Sequence, residues 1–276
     1  MKSNNIALGQ YYPTNSKVHR LDPRIKIILA TAYIVCSFLC KNVISFALLL
    51  LSAVVLVWLS KIPLRIVLKA LKAIIFIIVF TAILNVFWTK GEGDPLVSWY
   101  FITIYESGLY NAAFIIIRIV AMIIGSSIFL TYTTTPIQLT DGIEQLLSPL
   151  KKIKVPVHEF AMMMTVALRF IPTIVEETEK IMNAQKARGA DFTNGSLAKR
   201  AKALIPVLIP LFISAFRRAG DLAVAMTCRC YRGGTGRTRL NVLKCRARDY
   251  IWLCLSALFV AAIIFINILG IGYTMV

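Results

Sequence analysis

A set of apolar runs, each near the length needed to cross a bilayer, limits what this chain can fold into more than any other feature. The hydrocarbon layer is roughly 30 Å thick and takes about 20 helical residues to cross. Inside it every backbone polar group must be satisfied by the chain itself, which leaves helices or closed barrels. The runs fall at Ile25–Cys40, Val43–Leu59, Ile66–Trp88, Leu109–Tyr132 and Tyr250–Tyr273. The first two are short for full crossings, and Arg65, Lys69 and Lys72 crowd the start of the third. Hydrophobic residues fill 58% of the 276 positions, and the mean hydropathy of +0.74 lies well above that of a soluble domain. The expected fold is an all-α integral membrane protein with about five transmembrane helices.

Charge gives that fold an orientation. A net charge of +18 would suit a nucleic-acid binder, but its placement points to the membrane, and no nucleic-acid partner is expected. Lys2, Lys17, Arg20, Arg24 and Lys26 cluster at the start of the first run, and Lys61, Arg65, Lys69 and Lys72 follow the second. The Lys90–Glu106 connection carries one Lys against three acids. Positive loops remain cytoplasmic, so the N terminus is expected inside and the acidic connection outside. Residues 133–249 carry 19 Lys/Arg and nine Asp/Glu and belong inside; five spans then place the C terminus outside. The chain thus divides into a membrane region of about four spans (1–132), a cytoplasmic insert (133–249) and a final span (250–276). Most of the positive charge is accounted for by topology and by attraction to the anionic headgroups of the lipid bilayer.

The insert reads as helices. Thr135-Pro136 ends the fourth run, because the residue before proline is pushed out of helical geometry. A short amphipathic helix follows from about Leu139, with Thr140 or Asp141 as its cap, and Ser148-Pro149 stops it. From Pro156 a long helix runs toward Ala187, with Phe160, Met163, Met164, Ala167, Phe170 and Ile174 recurring at three- and four-residue spacing. Pro172 is expected to bend it, and Gly189 is a natural stop. After a polar turn at Asn194-Gly195 a second long helix covers about Leu197 to Arg229, kinked or broken near Pro206 and Pro210. The two endings nearly repeat each other: Ala184-Gln185-Lys186-Ala187-Arg188-Gly189 and Ala225-Met226-Thr227-Cys228-Arg229-Cys230.

Little in the chain is equipped for chemistry. Gly233–Thr238 is glycine-rich but lacks the spacing of a phosphate-cradling loop and has Arg237 where the lysine belongs. No Ser/His/Asp set, paired-histidine zinc motif or inward-facing carboxylate pair appears, so enzyme activity is not expected. Cys228-x-Cys230 is too closely spaced for a zinc knuckle and lies far in sequence from His19 and His158, so no metal site is expected. The other cysteines (Cys36, Cys40, Cys245, Cys254) fall in spans or in the insert, where reducing conditions disfavour disulfides. The polar N-terminal stretch lacks the pattern of a cleavable signal. Arg118 alone lies deep in a span, with Asn85 a weaker candidate partner in the third; it reads as a structural intramembrane residue pairing with backbone carbonyls, or as one snorkelling to an interface.

The two basic helix ends are what remains. A guanidinium is a rigid five-donor fork that can hold a carboxylate bidentately. Small neighbours (Ala187 and Gly189, Cys228 and Cys230) let a partner surface approach. Compensation of the helix dipole, worth about 0.3–1 kcal/mol, explains one such arginine; the doubled pattern favours docking, where couplings of about 1.5–7 kcal/mol are reached. Met162, Met163 and Met164 suit either an irregular helix contact or a surface that repacks against partners.

Several segments together resemble a known family over nearly the whole chain. Gly9-Gln10-Tyr11-Tyr12-Pro13 and His19-Arg20-Leu21-Asp22-Pro23-Arg24 are similar to the N-terminal signature of the EcfT/CbiQ family, the transmembrane coupling subunits of energy-coupling factor (ECF) transporters. Thr133-Thr134-Thr135-Pro136, Leu139-Thr140-Asp141-Gly142, Ser148-Pro149-Leu150-Lys151-Lys152 and Ala167–Pro172 resemble that family too. So do Ala187–Asp191, Cys230–Gly234 and Arg248-Asp249-Tyr250. The resemblance implies a multi-pass protein of a prokaryotic plasma membrane, in complex with two ABC-type ATPases and one small substrate-binding membrane subunit, or several that exchange. ATP and Mg would be bound by the ATPases and no cofactor by this chain. It implies two coupling helices crossing in an X, with Arg188 and Arg229 entering grooves on the ATPases. The apolar helix faces, including Phe160, Met162, Met163, Met164 and Phe170, would carry the substrate-binding subunit, which topples to release its ligand inside. The family's second tip commonly reads Ala-Met-Glu-Ala-Arg; here Thr227 replaces the Glu and Cys228 the Ala, so any salt bridge from that Glu is absent. A dedicated subunit for cobalt, nickel or biotin uptake and a self-sufficient secondary carrier are the rival readings.

Overall fold

The computed structural model describes residues 11–88, 97–99, 102–192, 196–233, 243 and 245–269. Gly9-Gln10, the residues 90–96 of the acidic connection, Asn194-Gly195, residues 234–238 of the glycine-rich segment and the last run beyond Leu269 lie outside the described residues. In chain order the helices are α1 (Pro23–Leu39), α2 (Val43–Ser60), α3 (Leu64–Trp88), α4 (Glu106–Ser126), α5 (Pro136–Leu146), α6 (Val157–Ala187), α7 (Leu197–Cys228) and α8 (Ala247–Leu269). A short antiparallel hairpin, β1 (Val97–Trp99) with β2 (Ile102–Ile104), precedes α4, with Ser98 opposite Thr103. Among the described residues, those from Tyr11 to Leu146 and from Leu243 to Leu269 form one compact unit, and those from Leu147 to Gly233 form a second.

In the first unit α1, α2, α4 and α8 enclose a core that buries Leu29, Cys36, Phe46, Leu49, Ile128 and Ile263. α1 starts where its sequence tells it to: the Asp22 carboxylate accepts the Arg24 N–H at 2.9 Å, and Pro23 occupies the first turn, where a missing N–H costs nothing. Gly125 on α4 lets the ring of Tyr33 lie against the backbone, in space that a Cβ would fill. The Tyr33 hydroxyl then reaches across to donate to the Leu49 carbonyl of α2 at 3.3 Å. After α4 the helix widens into a π-helical stretch, Ser127–Tyr132. The next helix begins earlier than the sequence reading placed it. Thr135 and Gln138 form a reciprocal capping box, each side chain accepting the other's backbone N–H at 3.3 Å, and Pro136 supplies the first turn. Thr140 sits inside α5, where its hydroxyl donates to the Pro136 carbonyl at 3.0 Å.

Among the described residues, six helical stretches are long and apolar enough to cross a membrane: α2, most of α3, α4 with its π extension, α6, nearly all of α7, and α8. Four of these coincide with expected spans. α1, at 17 residues, covers about 26 Å at 1.5 Å per residue, short of the hydrocarbon layer. α6 and α7 also qualify, although the sequence reading placed them in the insert; length and composition alone therefore do not yield the expected five spans. In the second unit, α6 runs unbroken through Pro172 and α7 through Pro206 and Pro210.

Candidate functional site

The two basic endings close their helices in the same way. α6 ends at Ala187 with Arg188 as its C-cap, and Gly189 adopts the left-handed conformation at φ +88°. The Gly189 N–H donates to the Lys186 carbonyl at 2.9 Å and the Ala190 N–H to Gln185 at 3.0 Å, the bond pair of a Schellman motif. α7 ends at Cys228 with Arg229 as its C-cap, and Cys230 takes the left-handed position at φ 55°. Here the Cys230 N–H donates to Thr227 at 2.9 Å and the Tyr231 N–H to Met226 at 3.0 Å. Arg188 and Arg229 thus occupy one register position of one capping motif. Both are exposed, as are Ala187, Gly189, Cys228 and Cys230. No ion pair or hydrogen bond holds either guanidinium among the described residues.

The likeness extends inward from the tips. Arg218 Nη2 donates to Glu177 Oε2 at 2.6 Å, joining α7 to α6. Each member lies eleven residues before its own tip arginine (177 to 188, 218 to 229), about 16 Å along a helix axis. The contact between the helices thus stands at equal depth from both ends. The endings were legible in sequence; this pair was not, because nothing local links residues 41 positions apart.

Beyond that contact α6 and α7 are largely bare. Phe160 is 67% exposed, Met163 56% and Met164 52%, while Phe212 and Phe216 of α7 are 67% and 65% exposed. Met162 and Phe170 are half-buried. Met162 stands about 100° around the helix from Met163, off the stripe on which Phe160, Met163, Met164 and Phe170 lie. Of the residues expected to face a partner subunit, three are therefore strongly exposed and two are not.

Arg118, on α4, belongs to the other unit. Its Nη2 donates to the Cys40 carbonyl at 3.1 Å, beyond the end of α1, and its guanidinium lies 5.3 Å from the centroid of the Phe46 ring. Phe114 stacks on that ring at 5.0 Å. The carbonyl and the aromatic face both stabilise the cation inside the unit. Asn267 of α8 donates to the neighbouring Leu39 carbonyl. Two polar side chains from different helices thus satisfy carbonyls that the end of α1 leaves open.

At the opposite end of that unit is a buried polar junction for which sequence reading assigned no role. Lys26 is 1% exposed; its ammonium donates to the Thr133 carbonyl at 2.7 Å and to that of His19 at 3.2 Å. The carboxylates of Asp22 and Asp249 act on it electrostatically. Asp249 accepts the Asp22 N–H at 3.2 Å and the Arg246 N–H at 2.7 Å, tying α8 to the start of α1. His19 Nε2 faces the Tyr12 carbonyl at 2.9 Å and so carries the proton, leaving Nδ1 to accept from the Ser16 hydroxyl at 2.7 Å. Burial, the larger influence, and the nearby Lys26 charge hold the His19 pKa below its usual range, opposed by the carbonyl contacts. The segments Tyr11–Arg24, Thr133–Pro136 and Arg248–Tyr250 therefore meet in one place. The signal in sequence was a set of acids and a lysine beside apolar runs, where charge is costly unless paired.

Comparison with known proteins agrees with this architecture. The profile of the CbiQ family, described as cobalt transport protein, matches residues 14–240. A Clostridium kluyveri protein called energy-coupling factor transporter transmembrane protein EcfT is 51% identical over 247 residues, covering 90% of this chain and 91% of the relative. Proteins of the same name from Ruminiclostridium cellulolyticum (52% over 260 residues, 94% and 96% covered) and Bacillus subtilis (48% over 261 residues, 95% and 97% covered) match as fully. With this agreement over nearly all of its length, the chain belongs to the EcfT/CbiQ family and is a transmembrane subunit of an energy-coupling factor transporter.

Proposed function

We infer that this subunit couples ATP hydrolysis in two partner ATPases to movement of a small substrate-binding membrane subunit, without itself binding ATP, Mg or any cofactor. The observation that carries the reading is the matched pair of exposed arginines, each the C-cap of a Schellman ending and each eleven residues from the Glu177–Arg218 contact. One exposed arginine at a helix end is ordinary; two in the same backbone frame, equidistant from the point where their helices meet, suit two copies or two homologues of one partner. Each fork would enter an acidic groove on one ATPase, and the helices, crossing in an X at the Glu177–Arg218 contact, would turn movement at the tips into movement of their apolar faces. Phe160, Met163 and Met164 offer the substrate-binding subunit an exposed, pliable surface. The charge of the insert favours a cytoplasmic site for the tips and N terminus, in a prokaryotic plasma membrane, with the C terminus outside.

A second reading, a subunit dedicated to one substrate, is favoured by the cobalt transport description of the matching profile. Purification of the tagged protein from native membranes in mild detergent, with mass spectrometry of what accompanies it, tests both. Two ABC-type ATPases and several substrate-binding subunits are expected; a single substrate-binding subunit favours the dedicated reading. A protein that comes down alone and transports in vesicles without an ATPase overturns both.

A further inference from the structure

We propose that the first unit holds one anionic phospholipid from the surrounding bilayer in a groove between α2, α3 and α8. The groove has a volume of about 1370 Å³, above the roughly 300–1,000 Å³ of ordinary small-molecule sites. Its walls are apolar: Leu50 and Val54 from α2, Leu68 and Leu71 from α3, and Ile251 from α8. Leu50, Val54, Leu68 and Ile251 are exposed, so the walls present hydrocarbon to whatever enters.

The charge lies at one end. Lys17 and Arg20 precede α1, Lys61 follows α2 and Arg248 opens α8, and all four line the same groove. All four are exposed. No carboxylate lines the groove with them, and none pairs with them among the described residues. Lys61 holds its place in the left-handed conformation, φ 55°, with its N–H donated to the Trp58 carbonyl, so the turn after α2 fixes where that ammonium begins. Trp58 and Trp252 also line the groove, each within about one helical turn of a rim cation (Lys61 and Arg248). Tryptophan at this level marks the headgroup depth of a bilayer.

This arrangement has two chemistries in a fixed order: cations with tryptophans at headgroup level, then hydrocarbon walls. A phospholipid with a net negative headgroup satisfies both. A zwitterionic lipid fills the walls but brings a cationic amine to the rim along with its phosphate, and a soluble phosphate matches only the rim. General attraction between basic loops and anionic membranes needs no groove; here four cations from three separate segments converge on one. The proposal requires membrane residence and not the coupling mechanism, so it stands or falls apart from ATPase docking.

Native mass spectrometry of the full-length protein tests it. Delipidated protein receives phosphatidylglycerol or phosphatidylethanolamine with identical acyl chains. Phosphatidylglycerol is expected to remain on the protein, one per chain, with at least a tenfold preference. Combined Lys17→Gln, Arg20→Gln, Lys61→Gln and Arg248→Gln changes bring the two lipids within twofold. Val54→Trp, which fills the wall and leaves the rim intact, reduces retention of both. That variant and Lys61→Gln alone decide the matter should the fourfold variant fail to fold. Equal retention of the two lipids, or unchanged preference in the rim variants, overturns the proposal. So does displacement of the lipid by inorganic phosphate at equal concentration. A photoactivatable residue at Leu68 that cross-links to a polypeptide instead of lipid in native membranes also overturns it, by showing a protein helix in the groove.

Discussion

Lys26 shows how a single buried charge can hold several segments together. Its ammonium is satisfied by two carbonyls and balanced by two carboxylates, in a place almost without solvent. Removing the ammonium leaves two buried carboxylates without the cation that balances them, and breaking a buried charge set in this way costs up to about 3–5 kcal/mol. Lys26→Met, close in volume, should therefore lower the thermal midpoint in detergent strongly, whereas Lys26→Met combined with Asp22→Asn and Asp249→Asn should recover part of the loss. A midpoint unchanged in the single variant would show that the junction contributes nothing. His19 makes a pH-dependent prediction from the same junction. Its folded pKa lies below the ordinary value of 6.5, so the folded protein resists a proton that the unfolded chain accepts. The sign follows: stability from this group is full above 6.5 and is lost as pH falls below it toward the lowered folded value. Melting between pH 7.5 and 5 should show a decline that His19→Gln makes shallower; identical slopes in the two proteins would exclude His19 as the cause.

The ends of α6 and α7 differ at one atom group that matters. Gly189 accepts its left-handed conformation freely, and a Cβ there would meet nothing within 4 Å, so Gly189→Ala tests backbone strain without a clash. Cys230 already carries that strain, about 1–2 kcal/mol for a residue with a Cβ, partly offset by the freedom glycine would have in the open state. Cys230→Gly should tighten the α7 tip by about 0.5–1 kcal/mol and Gly189→Ala should loosen the α6 tip by at least as much, read as slower and faster exchange of the Tyr231 and Ala190 amides. Changes in the same direction at both tips would contradict the shared motif. These helix ends were legible because their signals are local: Pro156 opens one, Gly189 closes it, and the Ala-x-x-small-Arg-small spacing repeats. The start of α5 was misjudged for an equally local reason, since Thr140-Asp141 resembles a cap but Thr135 and Gln138 complete the box. What sequence could not supply was pairing at a distance. Lys26 meets Thr133 across 107 positions and Asp22 meets Asp249 across 227, and no periodicity encodes either. α6 and α7 are ambiguous for another reason: their composition lies between that of an amphipathic surface helix and a spanning one, so length and hydropathy admit both.

On the scale of the whole molecule, the proposed coupling makes α6 and α7 one two-armed device. Each arm would contribute its own dock, and the Glu177–Arg218 pair ties the arms together at equal depth. If the two ATPases associate with each other, the docks are two contacts made by one rigid body, and the second forms at a high effective concentration. Linkage of that kind raises overall binding by about 10²–10⁴ over a single contact. Arg188→Ala or Arg229→Ala alone should then leave much of the assembly in place, with at most about a tenfold loss of transport-coupled ATP hydrolysis, because one tip still holds. Arg188→Ala with Arg229→Ala should lose well over 100-fold, beyond the product of the two single losses. Arg→Lys at either tip keeps the charge but not the planar fork, so it should fall between arginine and alanine if the groove reads bidentate geometry. Separate measurement of ATPase retention and of hydrolysis distinguishes a docking failure from a transmission failure: Glu177→Ala, remote from both tips, should preserve retention while reducing coupling. A double-arginine variant whose loss equals the product of the single losses would mean two independent contacts. In that case the matched Schellman ends would reflect shared helix termination and no shared mechanical task.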